Sequence, residues 1–167
     1  MGALQVTPTI DFSSASPEET VRLGEAIAAA VQPGDVLALY GPLGAGKTQL
    51  VKGLAAGLGV PPDEPIVSPT FVLVREYAGR LRLYHLDAYR LSGSDELAGL
   101  GWEEMLDDPH AVVVLEWADR VAAAIPPAAW RIDLEHAGPE ARTIRITCPD
   151  ARRAAPLARL LAPSRGP

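Results

Sequence analysis

The stretch from Asp35 to Gly59, "DVLALYGPLGAGKTQLVKGLAAGLG", constrains the fold more than any other. A short apolar run, a glycine-rich turn and an apolar-periodic stretch closed by Gly59 predict strand, loop and helix in that order. Between them Gly41, Pro42, Leu43, Gly44, Ala45, Gly46, Lys47 and Thr48 match G-x-x-x-x-G-K-[ST]. Glycines in such a turn let backbone N–H groups face inward around anionic oxygens, and the helix N-terminus adds a positive dipole end. Lys47 is placed to reach the β- and γ-phosphates of a nucleotide and Thr48 to ligate Mg²⁺. Lysine is rare here: Lys47 and Lys52 stand among fifteen basic residues, the rest Arg. A compact ammonium suits a site between phosphates better than a guanidinium does. A ligand-free turn would give no reason for a lysine at so crowded a place.

The surrounding pattern alternates strands and helices. Ser16-Pro17-Glu18-Glu19 opens a helix, with Ser16 as N-cap, Pro17 at N1 and Glu19 completing a capping box. "FVLVREY" and "LRLYHLD" flank Ala78-Gly79 as a β-hairpin. "SGSDELAGLGWEEMLDD" reads as one or two short helices capped by Ser94. "AVVVLEW" is an uninterrupted apolar run, which suits a central parallel strand. "ADRVAAAI" reads as a helix stopped by Pro126-Pro127, and "WRIDLEHA" with "ARTIRITC" as a second hairpin. The expectation is an α/β, P-loop NTPase-like three-layer fold with a mixed sheet and two hairpins. Residues 1–150 would form one ATPase domain and 151–167 a short helix or frayed tail.

Two acids end strands, Asp87 in "LYHLD" and Glu116 in "VVVLE". Ligands in doubly wound sheets sit at the carboxyl ends of parallel strands. If "AVVVL" runs parallel to "DVLALY", Glu116 points into the crevice of the glycine loop, as a Walker B acid would. Thr70 lies 22 residues after Thr48, beyond the loop that follows that helix, where P-loop switch proteins place a γ-phosphate-sensing hydroxyl. A hairpin symmetric about Ala78-Gly79 pairs Tyr77 with Arg80 and Thr70 with Asp87, which brings the last two together. Asp87 is then the switch-side, water-positioning acid and Glu116 the metal acid. The plainer readings are a turn acid or Arg90 partner for Asp87, a turn residue for Thr70 and a half-buried sheet residue for His85. Trp117 would wall the site or cap the core.

"GPLGAGKTQLVKGLAAGLG", "VSPTFVLVREY", "LYHLDAYRL" and "VLEWADR", in this order and spacing, resemble the TsaE (YjeE) family over about Leu23 to Ile146. The resemblance implies a small ATPase, weak alone, that binds the threonylcarbamoyl transferase TsaD and its partner TsaB. Together they form threonylcarbamoyladenosine in tRNA, with the tRNA touched only indirectly. It further implies Lys47, Asp87 and Thr70 as catalytic, Gly41 to Thr48 as nucleotide-binding, and Thr48 and Glu116 as magnesium ligands. Arg142 would match a basic position near the nucleotide, although a sheet-surface arginine is the commoner reading. Departures are Gln49, Leu86 and Ala88, none of which removes a reactive group.

Other classes fit less well. A GTPase needs an N-K-x-D motif, which is missing. "LSGSD" resembles a transporter ATPase signature but lacks its last residues and falls too early. A small-molecule kinase is the alternative, and would need a lid and an acceptor pocket. One cysteine, Cys148, excludes an internal disulfide. The net charge of −6 argues against a broad nucleic-acid-binding face. The basic tail residues Arg152, Arg153, Arg159 and Arg165 read as solvated. With no membrane-spanning run and no signal-peptide pattern at the N-terminus, a cytoplasmic protein, monomeric when alone, is expected.

Overall fold

Residues 7–162 are described by a computed structural model. Arg165 and the other residues after 162 lie outside these residues, as do residues 1–6; of the expected C-terminal helix or tail, 151–161 is helical.

The strands are β1 (Thr9–Ser14), β2 (Val36–Tyr40), β3 (Val74–Tyr77), β4 (Arg82–Asp87), β5 (Ala111–Glu116), β6 (Trp130–His136) and β7 (Arg142–Thr147). The helices are α1 (Pro17–Ala30), α2 (Lys47–Gly57), α3 (Asp95–Ala98), α4 (Trp102–Asp107) and α5 (Ala151–Leu161). One seven-stranded sheet runs in the order β1-β7-β6-β2-β5-β4-β3. β2 pairs in parallel with both β5 and β6, and β4 in parallel with β5, while the outer ladders are antiparallel. The chain is thus α/β with a mixed sheet, and its four central strands send their carboxyl ends to one edge.

The unbroken apolar runs divide by strand parity. Leu37 and Leu39 of β2 and Val112 and Val114 of β5 pack with Leu23, Ile27, Leu50 and Leu54 of α1 and α2. Val36, Ala38, Val113 and Leu115 face the other way, toward Leu97, Trp102, Met105 and Val121. Two buried faces explain why these strands lack polar alternation. α1 and α2 cross with their backbones nearly touching. A Cβ on Gly53 would fall 1.9 Å from the Val21 carbonyl oxygen, and one on Gly24 2.3 Å from that of Leu50.

The start of α1 carries the expected Ser16 cap, but the return bond from Glu19 goes to the residue before the cap. Ser16 Oγ accepts from the Glu19 amide at 3.3 Å, and the Glu19 carboxylate accepts from Ala15 N–H at 2.7 Å. Elsewhere the structure differs from expectation. An additional strand, β1, forms from "TIDFSS", an edge segment whose Thr9, Asp11 and Ser13 are exposed. Ser94 makes no side-chain cap; Glu96 instead accepts from the Ser92 amide at 3.1 Å. "ADRVAAA" is a 3₁₀ segment, Ala118–Ala124, kinked at Val121. The first hairpin is not symmetric about Ala78-Gly79: Tyr77 pairs with Leu83, and Val74 with Leu86. Phe71, Val72 and Leu73 leave the strand, with Leu73 in the left-handed region at φ 68°. Among the described residues no helix is long and apolar enough to cross a membrane.

Candidate functional site

β2 delivers the chain into the glycine loop, and α2 leaves it from Gly46. That residue sits at φ 98°, a left-handed conformation open to glycine at little cost. No side chain caps the helix start, so its first N–H groups remain available to an anion. The loop forms one wall of a cleft of about 460 Å³. Leu43 to Thr48 line it with Thr70, Asp87, Glu116 and Arg142. Gly41 and Pro42 lie behind it; their carbonyls hold Lys47 Nζ, Pro42 O at 3.1 Å.

Lys47 is 5% exposed. Its ammonium also lies 3.8 Å from the centre of the Trp117 ring, a cation–π contact strengthened by desolvation. Burial holds its pKa below the ordinary lysine range, and the charges of Glu116, Asp87 and Asp119 oppose that shift. Trp117 thus walls the site, from a left-handed backbone at φ 58° that is costly for a bulky residue. Tyr89 packs on it with ring centres 4.9 Å apart.

Asp87 and Glu116 are register partners on adjacent parallel strands. The hairpin strand β4 therefore lies beside β5 and parallel to it, and both acids reach the same crevice. Glu116 Oε1 accepts from Thr48 Oγ1 at 3.1 Å, and Oε2 lies 2.7 Å from His85 Nε2. Asp87 Oδ1 accepts from the Tyr89 amide at 2.8 Å; Oδ2 accepts from Ser68 Oγ at 2.6 Å and Thr70 Oγ1 at 3.2 Å. Thr70 does meet Asp87, but through the turn at 70–73 and not through ladder register. Arg90 is no partner of Asp87 here; it lies over Phe71, 4.3 Å from the ring centre.

Two site residues escaped the sequence reading. Ser68 touches Asp87, and lies 3.3 Å from Glu116 Oε2. His85, read as half-buried, has no exposed surface and sits beneath both acids. Arg142 reaches the cleft, but its nitrogens donate to backbone carbonyls: Nε to Ala45 at 3.1 Å, Nη2 to Gly44 at 2.9 Å and Nη1 to Ala141 at 2.8 Å. It braces the loop from the second hairpin. His136, at the end of β6, lies 3.2 Å from the Leu43 carbonyl.

The family model "Threonylcarbamoyl adenosine biosynthesis protein TsaE" matches residues 14–144. The chain belongs to the TsaE family. A relative from Bacillus subtilis, named tRNA threonylcarbamoyladenosine biosynthesis protein TsaE, is 40% identical over 139 residues, 83% of this chain and 85% of that one. One of the same name from Treponema pallidum is 44% identical over 113 residues, 68% of this chain and 82% of its own. The crystal structure of YdiB from Bacillus subtilis superimposes with a TM-score of 0.73 at 33% identity, covering 92% and 94% of the two chains. The TsaE match spans both acids, the glycine loop and Arg142, so the cleft lies wholly within the shared region.

Proposed function

We propose that the chain binds ATP with magnesium, hydrolyses it, and thereby supports a TsaD–TsaB threonylcarbamoyl transferase complex in forming threonylcarbamoyladenosine in tRNA. The observation that carries this reading is the convergence of the glycine loop, Thr48, Asp87 and Glu116 at the carboxyl ends of neighbouring parallel strands. The named relatives support the pathway.

Magnesium fits the donors present. Thr48 and Glu116 supply hard oxygens, and no group of three His, Cys, Asp or Glu side chains able to hold a metal occurs among the described residues. Mg²⁺ favours such sparse sites, taking one or two protein oxygens and completing its shell with water and phosphate. When bound, it would neutralise charge on the β- and γ-phosphates. Loop amides and the α2 N-terminus hold the phosphates in place. Lys47 leaves the Gly41 and Pro42 carbonyls for the β- and γ-phosphates, where its charge stabilises the transferring group. Asp87, steadied by Ser68, Thr70 and the Tyr89 amide, orients the attacking water. Trp117 and Tyr89 shield the lysine side of the cleft. The protein acts in the cytoplasm, and tRNA reaches it only through the transferase.

The test is ATP turnover with and without the TsaD–TsaB complex. Stimulation by the complex is expected, and Lys47→Ala should abolish both levels. Undiminished turnover in that variant would reject the site, and phosphate transfer to a metabolite would favour a small-molecule kinase.

A further inference from the structure

His85 has no role in the steps above, yet it lies fully buried beneath the two acids. On β4 it shares a face with Leu83 and Asp87 and stands opposite Val114 of β5. Leu83, Val112 and Val114 around it belong to the apolar core. A leucine would fill this row without adding a polar group to satisfy. The imidazole instead places Nε2 2.7 Å from Glu116 Oε2, while Nδ1 has no hydrogen-bond partner among the described residues. A proton on Nδ1 would be a buried donor without an acceptor, whereas one on Nε2 is taken by the carboxylate. The surroundings therefore favour a proton on Nε2, facing the Glu116 carboxylate. A donor fixed at Oε2 leaves Oε1 turned to the Thr48 hydroxyl, 3.1 Å away.

We propose that His85 is a positioning residue whose Nε2–H locks the Glu116 carboxylate in the orientation that presents Oε1, beside Thr48, to a divalent cation. This rests on the reading of Thr48 and Glu116 as the magnesium-binding pair. Loss of such an outer hydrogen bond typically weakens metal binding ~10–100-fold.

The experiment measures the affinity of N-methylanthraniloyl-ADP in EDTA and across a Mg²⁺ titration. His85→Leu should keep the EDTA affinity within about 2-fold of wild type and raise the half-maximal Mg²⁺ concentration ~10–100-fold. His85→Gln, whose amide nitrogen can stand in for Nε2, should stay much closer to wild type. In a Glu116→Ala background His85→Leu should add nothing, because its partner is gone. Wild-type Mg²⁺ dependence in His85→Leu, equal impairment of the Leu and Gln variants, or further loss without Glu116 would each overturn the proposal. Should His85→Leu not fold, ¹⁵N-imidazole spectra of the wild-type chain decide. The buried ring should show Nε2–H and shift in Glu116→Gln, and an Nδ1–H tautomer overturns the assignment. If the wild-type chain binds the nucleotide with no Mg²⁺ dependence, the magnesium pair itself is wrong and the inference falls with it.

Discussion

Lys47 is held by two carbonyls and an indole face, so moving it to a phosphate must change the surroundings of Trp117. Trp102 and Trp130 are buried core residues and should not respond. Titration with ADP is expected to alter tryptophan emission, and Trp117→Phe to remove that change while the nucleotide still binds. A second residue gives a pH signature. Burial pushes the Cys148 thiol from 9.0 to about 11, with a smaller push from Asp150. Above about pH 9 the unfolded chain loses this proton before the folded chain does, so Cys148 lowers stability as pH rises from 9 to 11. Lys47 is shifted downward and contributes the opposite slope. The melting temperature of the wild-type chain should therefore fall more steeply over that window than that of Cys148→Ala, measured by calorimetry at matched ionic strength.

The α1–α2 pair governs where the glycine loop sits, because α2 begins directly at Gly46. A methyl group on Gly53 has no room against the Val21 carbonyl, and backbone cannot yield as a side chain does. Gly53→Ala should destabilise the protein by about 3 kcal/mol and weaken nucleotide binding as α2 is displaced; chemical denaturation and a nucleotide titration check both. At this scale the sequence was unequally informative. The loop with its flanking strand and helix was legible because its chemistry is local: eight consecutive residues carry it. Glu116 was legible because an apolar run ending in an acid implies a parallel strand end. The hairpin register was not. Phe71, Val72 and Leu73 look like strand residues, and only the left-handed turn at Leu73 shows that they leave the ladder. Ser68 and His85 were missed for a related reason. Each gains its meaning from a partner 19 or more residues away, brought close by turn and register and not by any local motif.

Across the whole molecule, the cleft occupies one edge of the sheet and a polar lock the other. Asp35, at the start of β2, accepts from the Arg153 guanidinium on α5, from Trp130 Nε1 at 3.2 Å and from the Gln32 amide at 2.8 Å. Arg153, expected to be a solvated tail residue, is a tether; Arg152 and Arg159 remain exposed. Arg153→Ala leaves a largely buried carboxylate with two neutral donors. It should cost on the order of 3 kcal/mol, toward the lower end for a broken buried pair, while nucleotide affinity stays unchanged. A loss of affinity matching the loss of stability would instead mean that the two sheet edges are coupled.

The strand order places β1 against β7, joining residues such as Asp11 and Arg145, 134 positions apart along the chain. At the end of that ladder Ser14 faces Arg142, the residue that grips the Gly44 and Ala45 carbonyls. Contacts of such separation are slow to form. The glycine loop, though encoded in eight adjacent residues, is thus braced by a residue 97 positions beyond Ala45. On the proposed nucleotide-binding reading, a newly made chain would grip its ligand firmly only once β7 has docked.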